Sequence, residues 1–320
     1  MIKKDSHSAY YNLIILTGPT GIGKTRLSIY LAEKLGCEII SMDSMQVYKY
    51  MDIGTAKPGV RERERVVHHL IDIVDPADTY NAGRFIRDAG RAIEDIAERG
   101  RLPLLVGGTG LYMKALLEGL SPMPQIPEEV RKKLKKQLNH FGNEELYRKL
   151  QEVDPVTADR ISINDSQRLI RALEVFETAG RPWSDFIAED EKGHHQEKRR
   201  YNPLKLCLNC TREVLYDRIN RRTGKMIEDG LIQEVEGLLA RGYSADLPAM
   251  QAIGYQHMIN YLDGIWGKDE AIDLMARDTR RYAKRQLTWF SRDTDIHWFQ
   301  PEDKSILLEE VRSWLKKQVA

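Results

Sequence analysis

Gly18-Pro19-Thr20-Gly21-Ile22-Gly23-Lys24-Thr25 satisfies the pattern G-x-x-x-x-G-K-[ST], and its parts suit one task, holding a chain of phosphates. Glycines let backbone N–H groups converge on phosphate oxygens, Lys24 reaches the terminal phosphates, and the Thr25 hydroxyl is a ligand for Mg²⁺. The stretch follows the apolar run Leu13 to Leu16 and precedes Leu27, Leu31 and Leu35, which recur every four residues and mark one face of a helix. A strand, a glycine loop and a helix N-terminus are expected in that order, the helix end adding partial positive charge.

P-loops that hydrolyse nucleoside triphosphates place an Asp at the end of a second buried strand to organise Mg²⁺ and water. Here the run Leu102 to Val106 ends in Gly107-Gly108-Thr109-Gly110, which argues against an ATPase. Another apolar run, ending at Ser41, leads into Met42-Asp43-Ser44-Met45-Gln46-Val47-Tyr48 and puts a carboxylate near the carboxyl ends of the strands, where α/β sheets bind ligands. Asp43 is therefore a candidate general base or metal ligand, with helix capping as the plainer alternative. Arg218, Arg221, Arg222 and Lys225 are spaced i, i+3, i+4, i+7 and share one helix face, either solvated or turned to an anion.

The elements that must carry these residues read as α/β. Short apolar runs at Leu13–Leu16, Glu38–Met42, Leu70–Val74 and Leu102–Val106 alternate with helical periodicity, as in a parallel sheet covered by helices. Pro122, Pro124 and Pro127 interrupt that pattern, and from Glu128 to about Trp183 only helical periodicity follows. The expected architecture is a three-layer P-loop core over 1–121 and 201–320 with an inserted all-helical domain at 122–200. The insertion closes on the polar run EDEKGHHQEKRRYNP, after which Leu204 to Leu208 resumes a strand and helices are expected over 211–241 and 268–290.

Composition narrows the class without naming a partner. Lys and Arg number 49 against 48 Asp and Glu, so a polyanion would have to meet local basic patches. No apolar segment precedes Leu13 and no stretch approaches the roughly 18 apolar residues of a membrane span, so a cytoplasmic, soluble chain is expected, with nothing to suggest an obligate oligomer. Cys207 and Cys210 form a CxxC, but in a strand pattern that points them to opposite faces and argues against a shared metal.

Taken in order, GPTGIGKT, DSMQVY (43–48), IGTAKP (53–58), GGTGLY (107–112), QRLIRALEV (167–175), RTGKMIEDGLIQEV (222–235), AIGY (252–255) and KRQLTWF (284–290) resemble the tRNA dimethylallyltransferase (isopentenyltransferase) family over nearly the whole chain. The family's loops commonly differ at Gly21-Ile22, a departure that leaves Lys24, Thr25 and Asp43 untouched. The resemblance implies transfer of a dimethylallyl group from its diphosphate to N6 of the adenine on the 3′ side of the anticodon. Gly18 to Thr25 would then hold the diphosphate as a leaving group, with Mg²⁺ on Thr25 and with Lys24 and Arg222 stabilising the charge that develops. Asp43 would take the N6 proton, and Thr109 would bond the diphosphate or the reacting region unless it merely stabilises its turn.

On the acceptor side the resemblance offers Ser44, Met45 and Gln46 beside Asp43 and Thr109, since a base must be unstacked and held by its edge. Gln167, Arg168, Leu169, Ile170 and Arg171 are the candidates for the anticodon stem-loop in the insertion, Gln167, Arg168 and Arg171 forming its polar face. Lys284, Arg285 and Gln286 follow in the last long helix, after Arg277, Arg280 and Arg281, while Trp289 reads equally as RNA contact or core. The basic run from Arg131 to Lys136 has no assigned role. Rival functions are a small-molecule kinase binding ATP on the same loop, a prenyltransferase acting on AMP, and a noncatalytic RNA-binding switch. The helical insertion speaks against the first two, and Asp43 against the third.

Overall fold

The computed structural model describes residues 10–193 and 200–318 and divides the chain into two compact units. One is Met1–Leu117 with Arg199–Ala320; the other is Glu118–Lys198, within a few residues of the expected bounds. Residues 194–199, in the middle of the polar run, lie outside the described residues.

The first unit is built on six parallel strands, β1 (Tyr11–Thr17), β2 (Cys37–Ser41), β3 (His68–His69), β4 (Leu102–Val106), β5 (Tyr201–Leu208) and β6 (His297–Phe299), in the order β3-β2-β4-β1-β5-β6. Its helices are α1 (Lys24–Leu35), α2 (Val60–Arg65), α3 (Ala82–Glu98) and α4 (Gly110–Glu118). The second unit carries α5 (Glu128–Val153), α6 (Pro155–Arg160), α7 (Ser166–Ala179) and α8 (Trp183–Gly193). The first unit resumes with α9 (Arg212–Glu228), α10 (Leu231–Ala240), α11 (Tyr255–Leu262), α12 (Lys268–Phe290) and α13 (Lys304–Lys317).

Strand alternation sends side chains to two cores. Leu13, Ile15, Ile40 and Leu105 pack with α3, α4, α10 and α11 on one face. Ile14, Leu16, Ile39 and Leu104 pack with α1 and α13 on the other. The three-layer expectation is met. Cys207 belongs to the first face and Cys210 packs on the second, so the CxxC makes no paired site.

Two elements differ from the sequence reading. The strand expected at Leu70–Val74 shrinks to His68–His69, because Leu70 (φ 62°) and Asp72 (φ 57°) are in the left-handed region, which an extended strand does not visit. The helix expected over 211–241 breaks at Gly230 (φ 102°) into α9 and α10, which lets α10 turn onto the sheet. Helix α12 occupies the expected 268–290.

In the second unit, α5 is interrupted at Gly142 (φ 77°) and packs on α6 and α7 around Leu134, Leu146, Leu150, Ala158, Leu169 and Leu173. Buried Asp154 caps α6 through the Thr157 N–H and also accepts the Ser184 N–H of α8, tying three helices at one carboxylate. Among the described residues no helix is long and apolar enough to cross a membrane.

Candidate active site

Helix α1 leaves β1 toward one face of the sheet, while α4 leaves the neighbouring β4 toward the other. Their loops part at the carboxyl ends of adjacent strands and open a crevice there. Cross-strand bonds fix what lines it. The Met42 N–H donates to Val106 O (2.7 Å), the Gly107 N–H to Leu16 O (3.2 Å), the Thr109 N–H to Met42 O (3.4 Å), and Thr17 Oγ to Gly107 O (2.9 Å). The phosphate loop, Asp43 and the 107–110 turn are thus held side by side.

The glycines of that turn are close approaches. A Cβ on Gly107 would stand 2.0 Å from Met42 O, one on Gly108 2.1 Å from the Gln286 amide, and one on Gly110 2.2 Å from the Trp289 ring. In the loop itself Gly23 (φ 104°) supplies the left-handed turn into α1. Ile22 is buried, so only its backbone faces the crevice, and its carbonyl accepts from Arg218.

Lys24 folds back on its own loop, Nζ donating to the carbonyls of Gly18 and Pro19 at 2.8 Å each. Burial lowers its pKa to about 8; the Asp43 charge opposes that shift and the Arg222 charge adds to it. Arg222 is lowered for the same reason, desolvation, with Asp43 again opposing. Lys24, Arg222 and Asp43 therefore form one electrostatic group with cationic excess, ready for a polyanion. Binding of inorganic diphosphate is expected to weaken as pH rises through about 8, because the free protein then loses the Lys24 charge. A Lys24→Arg protein keeps its charge and should lack that inflection; calorimetry across the range checks both.

Asp43 Oδ1 accepts the N–H groups of Met45 (2.8 Å) and Gln46 (3.3 Å), a local turn that sets the carboxylate's direction. Among the described residues no partner is recorded for Oδ2. Lys24, Thr25, Ser41, Asp43, Gln46 and Pro58 line one small cavity of about 50 Å³. Ser44 and Met45 are half-buried in the same turn.

Helix α12 supplies a face the sequence reading misassigned. Gln286, proposed for RNA, is buried: its Oε1 accepts the Thr20 N–H (2.8 Å) and its Nε2 donates to Gly108 O (2.9 Å). It welds the phosphate loop to the 107–110 turn, which withdraws both its own amide and the Thr20 N–H from any ligand. Trp289 covers Gly110 and packs on the core. Tyr282 lies near Thr109 and Asp43, and burial together with the Asp43 charge pushes its pKa up to about 12, so it stays protonated. Tyr282, Gln286 and Trp289 stand at i, i+4, i+7, a spacing that would have revealed the shared face. Gln286→Leu is expected to cost ~2–3 kcal/mol by leaving a buried donor and acceptor unpaired, read as a lower melting temperature. Lys284 and Arg285 of the same helix are exposed, Arg285 lying 5.7 Å over the Tyr282 ring.

In the second unit Leu169 is fully buried in the helical core and has no surface to offer RNA, correcting its place among the contacts. Ile170 is half-buried against that core. Gln167 and Arg168 are exposed and Arg171 is half-exposed, Arg168 pairing with Asp165 (2.6 Å) and Arg171 with Glu174 (3.5 Å). In the 131–136 run Arg131 pairs with Glu174 and Lys133 with Glu177, both at 2.8–2.9 Å.

Fold and site define a mixed α/β protein with a six-stranded parallel sheet, whose glycine-rich loop shares a cavity with the Asp43 carboxylate. Residues 46–293 match the family profile described as IPP transferase, and residues 11–72 one described as isopentenyl transferase. A tRNA dimethylallyltransferase of Desulfotalea psychrophila is 48% identical over 308 residues, 96% of this chain and 97% of that protein. One of Geobacter sulfurreducens is 48% identical over 90% of this chain and 91% of its own length. Among solved structures, a full-length tRNA isopentenylpyrophosphate transferase of Bacillus halodurans superposes with a TM-score of 0.71 at 41% identity, covering 97% of this chain and 98% of its own. A eukaryotic dimethylallyltransferase acting on tRNA gives 0.73 at 31% identity, covering 90% and 73%. The chain belongs to the IPP transferase family.

Proposed function

We propose that this chain transfers a dimethylallyl group from dimethylallyl diphosphate to N6 of the adenine 3′-adjacent to the anticodon in tRNA. The observation that carries the reading is the placement of Asp43 beside Lys24 and Arg222 at the phosphate loop. The carboxylate lies beside the loop that would hold the diphosphate as a leaving group, where it can take a proton from the attacking amine. The allylic C–O bond breaks with its electron pair passing to the diphosphate, the N6 lone pair forms the new C–N bond, and the N6 proton goes to Asp43. Lys24, Arg222 and the loop amides stabilise the negative charge that grows on the departing oxygen.

Mg²⁺ fits this donor set in one way. Among the described residues no group of three or more His, Cys, Asp or Glu side chains is arranged to hold a metal, whereas Thr25 places a hard hydroxyl oxygen in the cavity with Asp43. The ion would bind through Thr25 and the diphosphate oxygens and supply further charge neutralisation.

For the acceptor, the exposed polar face of α7 and the α12 residues Lys284 and Arg285 are the surfaces that suit an RNA backbone. Arg168→Ala and Arg171→Ala should weaken tRNA binding and flatten its salt dependence while leaving diphosphate affinity unchanged. Arg131 keeps Glu174 paired in the second variant, so the fold is retained. Binding titrations at several salt concentrations check this. The function itself is tested by incubating protein, Mg²⁺ and dimethylallyl diphosphate with unmodified tRNA or AMP and digesting the product. Prenylated adenosine from tRNA supports the reading, and preferential use of AMP moves the acceptor to a free nucleotide.

A further inference from the structure

Residues 51–58 enter the candidate site with Pro58, which shares a cavity with Lys24 and Asp43. One carboxylate holds this loop from outside. Glu234 of α10 accepts the N–H groups of Asp52 (2.9 Å) and Ile53 (2.8 Å) at Oε2, and the Gly54 N–H (3.1 Å) and Tyr255 hydroxyl (2.6 Å) at Oε1. Tyr255, fully buried at the start of α11, lies against Gly54, where a Cβ would come within 2.5 Å of its ring. Lys57 fastens the far end, Nζ donating to Tyr48 O (2.8 Å) and Asp72 (2.6 Å) with its side chain almost wholly buried.

The loop so held reaches the chemistry through its carbonyls. Gln46 Nε2 donates to Thr55 O and Ala56 O, each at 3.4 Å, while Ser41 Oγ donates to Gln46 Oε1 at 3.0 Å. This pattern fixes which way round the amide sits: Nε2 is committed to the loop, and Oε1 keeps a lone pair for an incoming donor such as an adenine N6–H. Gln46 follows Asp43 by three residues and lines the same cavity.

We infer that Glu234, which touches neither the cavity nor any candidate catalytic group, is a positioning residue for the acceptor base, acting through the 52–56 backbone on the Gln46 amide. Resting on the function proposed above, this separates the two substrates: the donor is held by the phosphate loop, the acceptor edge by a part of the molecule that Glu234 controls. Gln is the informative replacement, since its amide keeps the size of the carboxylate but turns one acceptor into a donor facing N–H groups already there.

The test measures kcat and both KM values for wild type, Glu234→Gln, Gln46→Ala and the double variant, with thermal melting alongside. Glu234→Gln is expected to raise the tRNA KM about tenfold with the dimethylallyl diphosphate KM within about twofold, and to add nothing in the Gln46→Ala background. Independent, multiplicative effects, or equal damage to both KM values, would overturn the relay while leaving the function intact. Tyr255→Phe keeps the ring against Gly54 and removes one of the four bonds; it should raise the tRNA KM two- to threefold, and an unchanged value would also overturn the relay. A wild-type protein that does not label tRNA overturns the underlying function and the inference with it.

Discussion

Arg222→Gln is expected to lower turnover by about 10²–10³, the usual loss when one preorganised donor to a developing oxyanion is removed. Its guanidinium sits in the same electrostatic group as Lys24 and Asp43, where burial strengthens every charge interaction. Charge on the leaving diphosphate increases as the allylic bond breaks, so the lost interaction is one made more strongly in the transition state than in the complex. The loss should therefore appear in kcat and in kcat/KM for the donor, with tRNA binding near its wild-type value. A rise in donor KM alone would make Arg222 a ground-state anchor. Removing one positive neighbour also raises the Lys24 pKa, so the inflection in diphosphate binding near pH 8 should move upward in this variant.

Asp43→Ala should retain tRNA and diphosphate binding and lose at least about two orders of magnitude in turnover, the usual contribution of a general base. An exocyclic adenine amine is a weak nucleophile because its lone pair is delocalised into the ring, and it gains reactivity as its proton leaves. The Oδ1 bonds to the Met45 and Gln46 amides hold the carboxylate while Oδ2 remains for that proton. Asp43→Asn keeps the shape and hydrogen-bonding of the turn without the basicity, and should be as slow as the Ala variant. Single-turnover assays separate this from substrate binding. Near-normal turnover in either variant would remove Asp43 from the mechanism and require another acceptor for the N6 proton.

The fold was legible wherever local pattern and packing agree. The loop between Leu16 and Leu27 announces itself because glycine, lysine and threonine are each required by one geometry, and the β1–α1 unit forms as expected. Leu70–Val74 looked like a strand because apolar residues recur there, but residues at positive φ turn it into a docked loop; tertiary packing overrides periodicity in so short a run. Asp43 is legible as a candidate because it follows a strand. Glu234 and Tyr255 read in the sequence only as pieces of motifs, since the contacts that give them meaning reach the 52–54 backbone, about 180 to 200 positions away. Gln286 and Leu169 show the opposite error. Each lies within a motif that suits RNA, yet one is committed to the phosphate loop and the other to the helical core.

The most direct measurement supplies purified protein and Mg²⁺ with unmodified tRNA and either dimethylallyl diphosphate labelled in its allyl carbons or ATP labelled in its terminal phosphate. Label passing from the allyl donor into tRNA, with none from ATP, is the result expected of a phosphate loop that holds a leaving group. Label passing only from ATP would contradict it, making the protein a kinase and leaving the phosphate loop as the part of the site correctly read.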